Sequence, residues 1–248
     1  GGAIAWPADQ AKEVLASYGE FCAKTPRETT CVAVLRIAPP APWLPKEIHG
    51  KPIIAVFVCH AGNIEEGEKV LAPLRAVGKP VADIVTRRPY VQMQSLLDAT
   101  QPKGRRYYWK SHYMPGVETE AIDVAIEHSK RMCSPFSAVI FFQLQGALGE
   151  MPLSHSPAGN RDAAFVLNIA ASWGQPADDA ANVRWARDCF DAMGRFSTGG
   201  AYINFLTEEE GSDRIKAAYG SENLGRLATL KQKFDPENLF RHTKSLTA

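Results

Sequence analysis

Strand-like runs in this sequence follow one another with no helical pattern between them. TTCVAVLRIAP is followed by KPIIAVFVCHAG across a proline-rich link, and SAVIFFQLQGA is followed by AAFVLNIAASW. Parallel neighbours need a long crossover, usually a helix, whereas antiparallel neighbours need only a short connection. Written out, the segment order is α, β, β, α, β, α, β, β, α and then further helices. This order predicts an α+β fold: a mainly antiparallel sheet with helices packed on one face.

The helices are predicted from apolar residues at helical spacing. Pro7 suits the first turn of a helix, and Val14, Leu15, Tyr18 and Cys22 then fall on one face. DDAANVRWARDCFDAMGRF has the same amphipathic pattern nearer the other end. We therefore expect the sheet to be covered by these helices.

The last fifth of the chain is predicted to end in two helical stretches, near residues 208–219 and 222–233. We accordingly predict an α+β domain over residues 1–196 and a C-terminal segment over residues 197–248.

Charge and composition exclude several classes of partner. The 28 basic and 27 acidic residues give a net charge of +1, and they are mixed along the chain. That balance argues against nucleic acid or an anionic membrane as a partner. No apolar run approaches the roughly 20 residues of a membrane-spanning helix.

Cysteine and histidine spacing argues against a disulfide frame or a metal site. The five cysteines are far apart with no CxxC, which predicts reduced, buried side chains in a cytoplasmic protein. The six histidines show no HxH, HxxxH or HExxH spacing, and GxSxG is absent too. Neither GxGxxG nor GxxxxGK[ST] occurs, so the usual phosphate-binding loops are not found.

The stretch STGGAYINFLTEEEG is the strongest candidate site. Two glycines indicate a backbone brought close to another group, and AYINF is predicted to be a short strand. Tyr202 and Asn204 would then point to the same side. A phenol can exchange a proton and an amide can both donate and accept, so the pair suits a ligand. Spacing alone equally allows a core tyrosine beside an asparagine that satisfies a loop.

The end of the chain carries a second motif, KFDPENLFRHT. Asp235 is predicted to cap a single helical turn with Pro236 in its first position. Leu239 and Phe240 are expected to anchor this turn in apolar surroundings.

Taken together, these motifs resemble a known family. Tyr202-Ile-Asn204, Tyr219-Gly220, the RL…LK helix and FDPENLFR occur in the order seen in the C-terminal segment of the berberine-bridge-enzyme-like FAD-linked oxidases. These are flavoproteins of the vanillyl-alcohol-oxidase (PCMH-type) superfamily. Upstream stretches such as LPKEIHGKPIIAVFVCHAG and GRRYYWKS are also similar to family segments, so the resemblance covers nearly the whole chain.

The resemblance implies a division of labour between two parts of a longer protein. Residues 1–196 would be the substrate-binding domain, and residues 197–248 would return to an N-terminal flavin-binding domain. GGAIAWP resembles the point where the substrate domain begins, so we expect the flavin-phosphate domain to be missing here. FAD would belong to the complete protein and be absent from this chain, which alone we expect to be inactive.

The resemblance also assigns roles to individual residues. Tyr202 would be the catalytic base or substrate-hydroxyl partner, and both Tyr202 and Asn204 would contact the flavin. The complete enzyme would oxidise an alcohol, sugar or secondary-metabolite hydroxyl by hydride transfer to flavin. The small-molecule substrate would lie on the open face of the sheet, where Gln143 and Gln145 are expected to line the pocket. The alternative for both glutamines is contact with solvent or backbone.

Other positions match the family in part. Trp109 and Lys110 lie in its YWKS motif and are predicted to serve packing and a structural charge. After FDPENLFR the family usually has a polar end rich in Asn and Gln, whereas this chain has His242 and Thr243. The alternative to an oxidoreductase is a non-catalytic α+β module that lacks flavin and either binds a small molecule or dimerises through its bare sheet.

Overall fold

A computed structural model describes residues 1–100, 102–207, 209 and 211–241, and the strands in these ranges form one seven-stranded sheet in the order β4-β1-β3-β2-β6-β7-β5. Each neighbouring pair is antiparallel, which confirms the predicted α+β class. The strands are β1 (Gly2–Pro7), β2 (Thr29–Ile37), β3 (Pro52–His60), β4 (Ala82–Asp83), β5 (Arg106–Met114), β6 (Ala138–Gln143) and β7 (Phe165–Trp173). The helices are α1 (Ala11–Cys22), α2 (Ile64–Arg75), α3 (Tyr90–Gln94), α4 (Thr119–Ser129), α5 (Ala147–Glu150), α6 (Asp179–Met193), α7 (Ser212–Tyr219) and α8 (Ser221–Phe234). His242 and Thr243 lie outside the described residues.

Helices α1, α2, α4 and α6 cover one face of the sheet. Their apolar residues pack with alternate residues of the strands, for example Leu15 of α1 with the layer that holds Phe141 and Leu167. Burying one such side chain contributes about 1.5–3 kcal/mol to folding. This layer is the main core of the described chain.

Helix α1 forms as its apolar spacing predicts. Val14, Leu15, Tyr18 and Cys22 are all buried against the sheet. The Tyr18 hydroxyl donates a hydrogen bond to the Phe141 carbonyl at 2.9 Å. The buried Tyr18 hydroxyl is therefore satisfied by a backbone carbonyl of the sheet.

The first strand corrects the prediction for the N-terminal stretch. GAIAWP forms β1, which pairs with β3 and β4. Pro7 ends this strand, and the following turn leads to α1, which begins at Ala11. Glycine and alanine give the stretch little intrinsic strand preference. Pairing on both sides and the burial of Trp6 override that preference.

The other face of the sheet, called the open face here, lacks the four covering helices. The link between β2 and β3 covers its β1–β3 side, with Leu44 buried and the ring of Trp43 6.3 Å from that of Phe57. Residues 201–205 lie against its β5–β6 side through Phe205. The strip between these two covers is therefore the part of the sheet that faces outward.

Two further findings bear on the environment of the chain. No helix in the ranges described combines the length and apolarity needed to cross a membrane. All five cysteines are free, and three are buried as expected, but Cys59 is only half-buried and Cys133 is exposed.

Candidate functional site

The side chains of Tyr202 and Asn204 are in contact, although the two residues do not lie in a strand. Residues Ile203–Phe205 form a 3₁₀ turn instead of the predicted strand. Within this turn the Asn204 side-chain amide donates a hydrogen bond to the Tyr202 hydroxyl oxygen at 2.9 Å. The two side chains are therefore joined directly by this hydrogen bond.

The glycines before the turn serve a contact within the protein. A Cβ on Gly200 would overlap the side chain of Asn160, which itself adopts a positive φ of 57°. Asn160 donates a hydrogen bond to the Ala217 carbonyl at 2.9 Å. The close approach predicted from the glycines is thus an approach to Asn160, and it joins the turn to α7.

Aromatic rings hold the turn against the open face. The ring of Phe205 lies 4.9 Å from that of Tyr202 and 5.6 Å from that of Trp109, both edge-on. Phe142 of β6 lies 6.2 Å from the same ring. Edge-to-face pairs at these distances are favourable beyond the area that they bury. Tyr202, 37% exposed, therefore stands at the border between this cluster and solvent.

A second phenol lies close to Tyr202. Burial, together with the neighbouring Tyr202, raises the pKa of Tyr113 to about 12. The Tyr113 carbonyl accepts a hydrogen bond from the Thr198 amide at 2.9 Å, which brings this edge of β5 beside the segment leading to Tyr202. Tyr113 therefore stays protonated at neutral pH.

Glu209, which follows the Tyr202 turn, connects the chain to β5 and α6. Its carboxylate accepts hydrogen bonds from the Tyr108 hydroxyl, from Lys110 Nζ at 3.0 Å and from Arg187 Nη2 at 2.5 Å. The hydrogen bond from Tyr108, together with those from Lys110 and Arg187, lowers the pKa of Glu209 to about 2. Lys110 serves as the structural charge that the sequence predicts, since its side chain is 9% exposed and pairs with Glu209.

Gln143 does not lie on the open face. It shares the helix-covered side of β6 with Phe141 and is buried. Its side chain accepts from the Cys31 amide at 2.9 Å and donates to Thr25 Oγ1 at 2.7 Å. It also donates to Gln145 Oε1 at 3.0 Å, and Gln145 is exposed beyond the end of β6. The geometry thus favours the alternative of backbone contact for Gln143, and the expectation that it lines an open-face pocket needs correction.

We predict that replacing Gln143 by Ala lowers the free energy of unfolding by about 2–3 kcal/mol. The change leaves the buried Cys31 amide without its acceptor, and such orphaned groups cost about 1–3 kcal/mol each. Gln145→Ala removes one exposed contact and should change stability by less than about 0.5 kcal/mol. Urea unfolding of both variants tests this, and equal losses would contradict the structural role of Gln143.

The open face carries polar groups that the sequence prediction missed. Trp109 Nε1, Ser111 Oγ, Asn168 Nδ2 and Ser172 Oγ are buried and have no hydrogen-bond partner within the described ranges. They lie on adjacent strands, since Ser111 pairs with Asn168 and Trp109 with Ala170. Buried groups of this kind are rare in folded proteins and mark places where another group is expected. Alternation within AAFVLNIAASW does place Asn168 and Ser172 on one side, which is the signal that could have found them.

The C-terminal turn is capped as predicted but is not anchored. The Asp235 carboxylate accepts from the backbone amides of Leu239 at 2.7 Å and Phe240 at 3.0 Å. Residues 236–237 form a hydrogen-bonded turn rather than a helical one. Leu239 and Phe240 are 77% and 71% exposed. The expectation that they sit in apolar surroundings is wrong within the described residues, because most of each side chain is exposed there.

Comparison with known proteins agrees with this geometry. The family described as "Berberine and berberine like" matches residues 201–247, the region that contains the Tyr202 turn and the capped tail. The chain is related to the berberine-bridge-like FAD-linked oxidoreductases. The resemblance predicted from the sequence is thereby confirmed.

Relatives extend the match beyond that region. An FAD-linked oxidoreductase of Dictyostelium discoideum is 22% identical over 99% of this chain and 51% of its own length. The (R)-6-hydroxynicotine oxidase of Paenarthrobacter nicotinovorans is 28% identical over 79% of this chain and 44% of its own length. The chain thus spans about half the length of these curated relatives.

A solved structure shows the same fold. The crystal structure of 6-hydroxy-D-nicotine oxidase from Arthrobacter nicotinovorans superposes with a TM-score of 0.81 at 20% identity, covering 99% of this chain and 54% of that one. The antiparallel sheet and its covering helices therefore have the fold of about half of that solved chain.

Proposed function

We propose that this chain is the substrate-side part of an FAD-dependent oxidoreductase that oxidises an alcohol, sugar or secondary-metabolite hydroxyl. The observation that carries the proposal is the hydrogen-bonded pair of Tyr202 and Asn204 beside unpartnered polar groups on the open face. The relatives named FAD-linked oxidoreductases support it, and the missing length relative to them is where we place the flavin-phosphate domain. We also propose that residues 1–196 form the substrate-binding domain and that residues 197–248 return to the flavin-binding domain.

Tyr202 would remove the proton from the substrate hydroxyl. The Asn204 amide already donates to the phenolic oxygen, so it would stabilise the negative charge that develops there. Tyr113, whose pKa of about 12 keeps its proton in place, would donate a hydrogen bond rather than compete as a base. Phe205 and Trp109 would exclude water from one side of the reacting group.

The chain's residues fit the ring of FAD better than its phosphates. Tyr202 and Asn204, with the unpartnered donors Trp109 and Asn168, offer the hydrogen bonds and aromatic edges that a flavin ring can use. FAD, when bound, supplies the acceptor for the substrate's hydride. The phosphates would be held by the domain that this chain does not contain, because the sequence has no glycine-rich phosphate loop.

A second candidate function is supported by the exposed apolar tail. Leu239 and Phe240, with Tyr107 on the open face, are typical of a surface that a partner covers. In the first proposal the cover is the flavin-binding domain, and in the second it is another copy of a non-catalytic module. Binding of the flavin ring distinguishes the two proposals, because the non-catalytic module is expected not to bind flavin.

The proposal predicts that the isolated chain binds riboflavin weakly and ADP not at all. Riboflavin carries the ring without phosphates, and ADP carries phosphates without the ring. Titration followed by NMR should shift the indole N–H resonance of Trp109 with riboflavin alone. An unshifted indole at saturating riboflavin would contradict the proposal.

A further inference from the structure

Two arginines stand at one end of the open face. Arg36 of β2 pairs with Ile53 on one side and Ala138 on the other, which places its side chain on the open face. The guanidinium of Arg105, which precedes β5, lies 3.6 Å from the ring centroid of Phe136, two residues before Ala138. The register therefore brings two cations to the same corner of the sheet.

Among the described residues, no carboxylate is paired with either arginine. The described strand residues on the open face include no Asp or Glu, since Asp83 pairs with Ile4, whose side chain lies in the helix-covered core. Within the described ranges, the Arg36 side chain makes one hydrogen bond, from Nε to the Ile37 carbonyl at 3.2 Å, and neither arginine forms an ion pair. Burial and the nearby Arg105 lower the pKa of Arg36. A partly buried cation next to a second one is unfavourable unless an anion joins them.

Ser172 adds a neutral hydrogen-bonding group to the corner. It pairs with Tyr107 on β5 and lies two residues after Ala170 on β7, so the two residues share the open face of the sheet. Its side chain is 2% exposed, and its hydroxyl has no partner among the described residues. Two guanidinium groups and a free hydroxyl form a donor set of the kind that binds carboxylate and phosphate.

We propose that Arg36, Arg105 and Ser172 bind an anionic group, a carboxylate or phosphate, carried by the small molecule that occupies the open face. The inference rests on the proposed function, because it takes the open face as the substrate surface. Arg36 and Trp109 stand in the same row of the sheet, three strands apart, and strands are spaced about 4.8 Å. A substrate that reaches from the arginines to the Tyr202 turn would therefore be elongated, with its reacting hydroxyl roughly 10–15 Å from its anionic end.

Three probes of one shape test the charge preference. 2-Naphthol is neutral at pH 7, whereas 2-naphthoate and 2-naphthyl phosphate carry the two candidate anions on the same ring system. Calorimetric titration of the chain should show at least one anion binding about 10-fold or more tighter than naphthol. The better of the two anions identifies the group.

Arginine variants test whether Arg36 and Arg105 cause the preference for the anionic probes. Arg36→Gln and Arg105→Gln should each remove most of the preference for the anion, and Arg36→Lys should restore part of it. Arg87→Gln is the matched control, because Arg87 is exposed on another side and paired with Glu68. Arg105 precedes β5, so its variant provides the test if Arg36→Gln fails to fold.

Three results would overturn the inference: equal affinity for naphthol and both anions, no binding of either anion, or an Arg87→Gln loss as large as that of Arg36→Gln. The proposed function fails by a different result, the absence of riboflavin binding. Anion preference without riboflavin binding would keep the arginine site and reject the flavoenzyme role.

Discussion

Replacing Tyr202 by Phe in the complete FAD-dependent enzyme that we propose should lower the rate of substrate-driven flavin reduction about 10²–10⁴-fold. That range is the usual contribution of a positioned acid or base. The ring contact with Phe205 is kept in the variant, so folding should be unchanged. Anaerobic stopped-flow measurement of flavin bleaching isolates the affected step.

Two further variants separate proton removal from general damage to the site. Asn204→Ala removes the donor to the phenolic oxygen and should lower the rate about 10-fold, corresponding to one hydrogen bond of about 1–1.5 kcal/mol. Tyr107→Phe is the control, because the Tyr107 hydroxyl bonds the Pro102 carbonyl outside the Tyr202 turn. Tyr202→Phe retaining the wild-type rate would exclude Tyr202 as the base.

Replacing Glu209 by Gln destabilises the chain by about 1–2 kcal/mol at pH 7. The change removes the negative charge opposite Lys110 and Arg187, and charge-assisted hydrogen bonds are worth about 1.5–3 kcal/mol, reduced here because Glu209 is 38% exposed. Glu68→Gln is the matched control. Its partner Arg87 and Glu68 itself are both more than half exposed, so the loss should be much smaller than that of Glu209→Gln.

The stability that the Glu209 carboxylate contributes decreases as pH falls. Its pKa is lowered from the ordinary value of 4.5 to about 2, so the charged form is favoured by folding. The stabilisation is complete above pH 4.5 and is lost as pH falls towards 2. The difference in unfolding free energy between wild type and Glu209→Gln should therefore shrink across this window. A difference that is the same at pH 3 and pH 7 would show that the carboxylate charge is not the cause.

The fold follows from the sequence wherever apolar runs are long and regular. Strand order along the chain specified antiparallel pairing, and the spacing of Val14, Leu15 and Tyr18 specified α1. β1 was missed because its alanines and glycine have little strand preference of their own. Its pairing with β3 is a tertiary effect that no local pattern reports.

The site was predictable in part. Tyr202 and Asn204 do meet, but through a 3₁₀ turn rather than strand alternation. Gln143 was misplaced because Phe141 and Phe142 are both aromatic, so the run does not reveal which alternate set faces the helices. Phe141 proved to be the buried one, and Gln143 goes with it.

The tail shows a different limit on prediction from sequence. FDPENLF specified the Asp235 cap, which depends on local hydrogen bonds. The exposure of Leu239 and Phe240 depends on long-range packing, which the local pattern does not report. The cap was therefore predictable from nearby residues, and the environment of the two apolar side chains was not.

The riboflavin titration tests the central claim, that the open face is the substrate side of a flavin site, most directly. We predict that riboflavin shifts the side-chain N–H resonances of Trp109, Asn168 and Asn204. Riboflavin should bind more weakly to Asn204→Ala, and ADP should cause no shift. Shifts confined to the helix-covered side of the molecule, or no saturable shift at all, would contradict it.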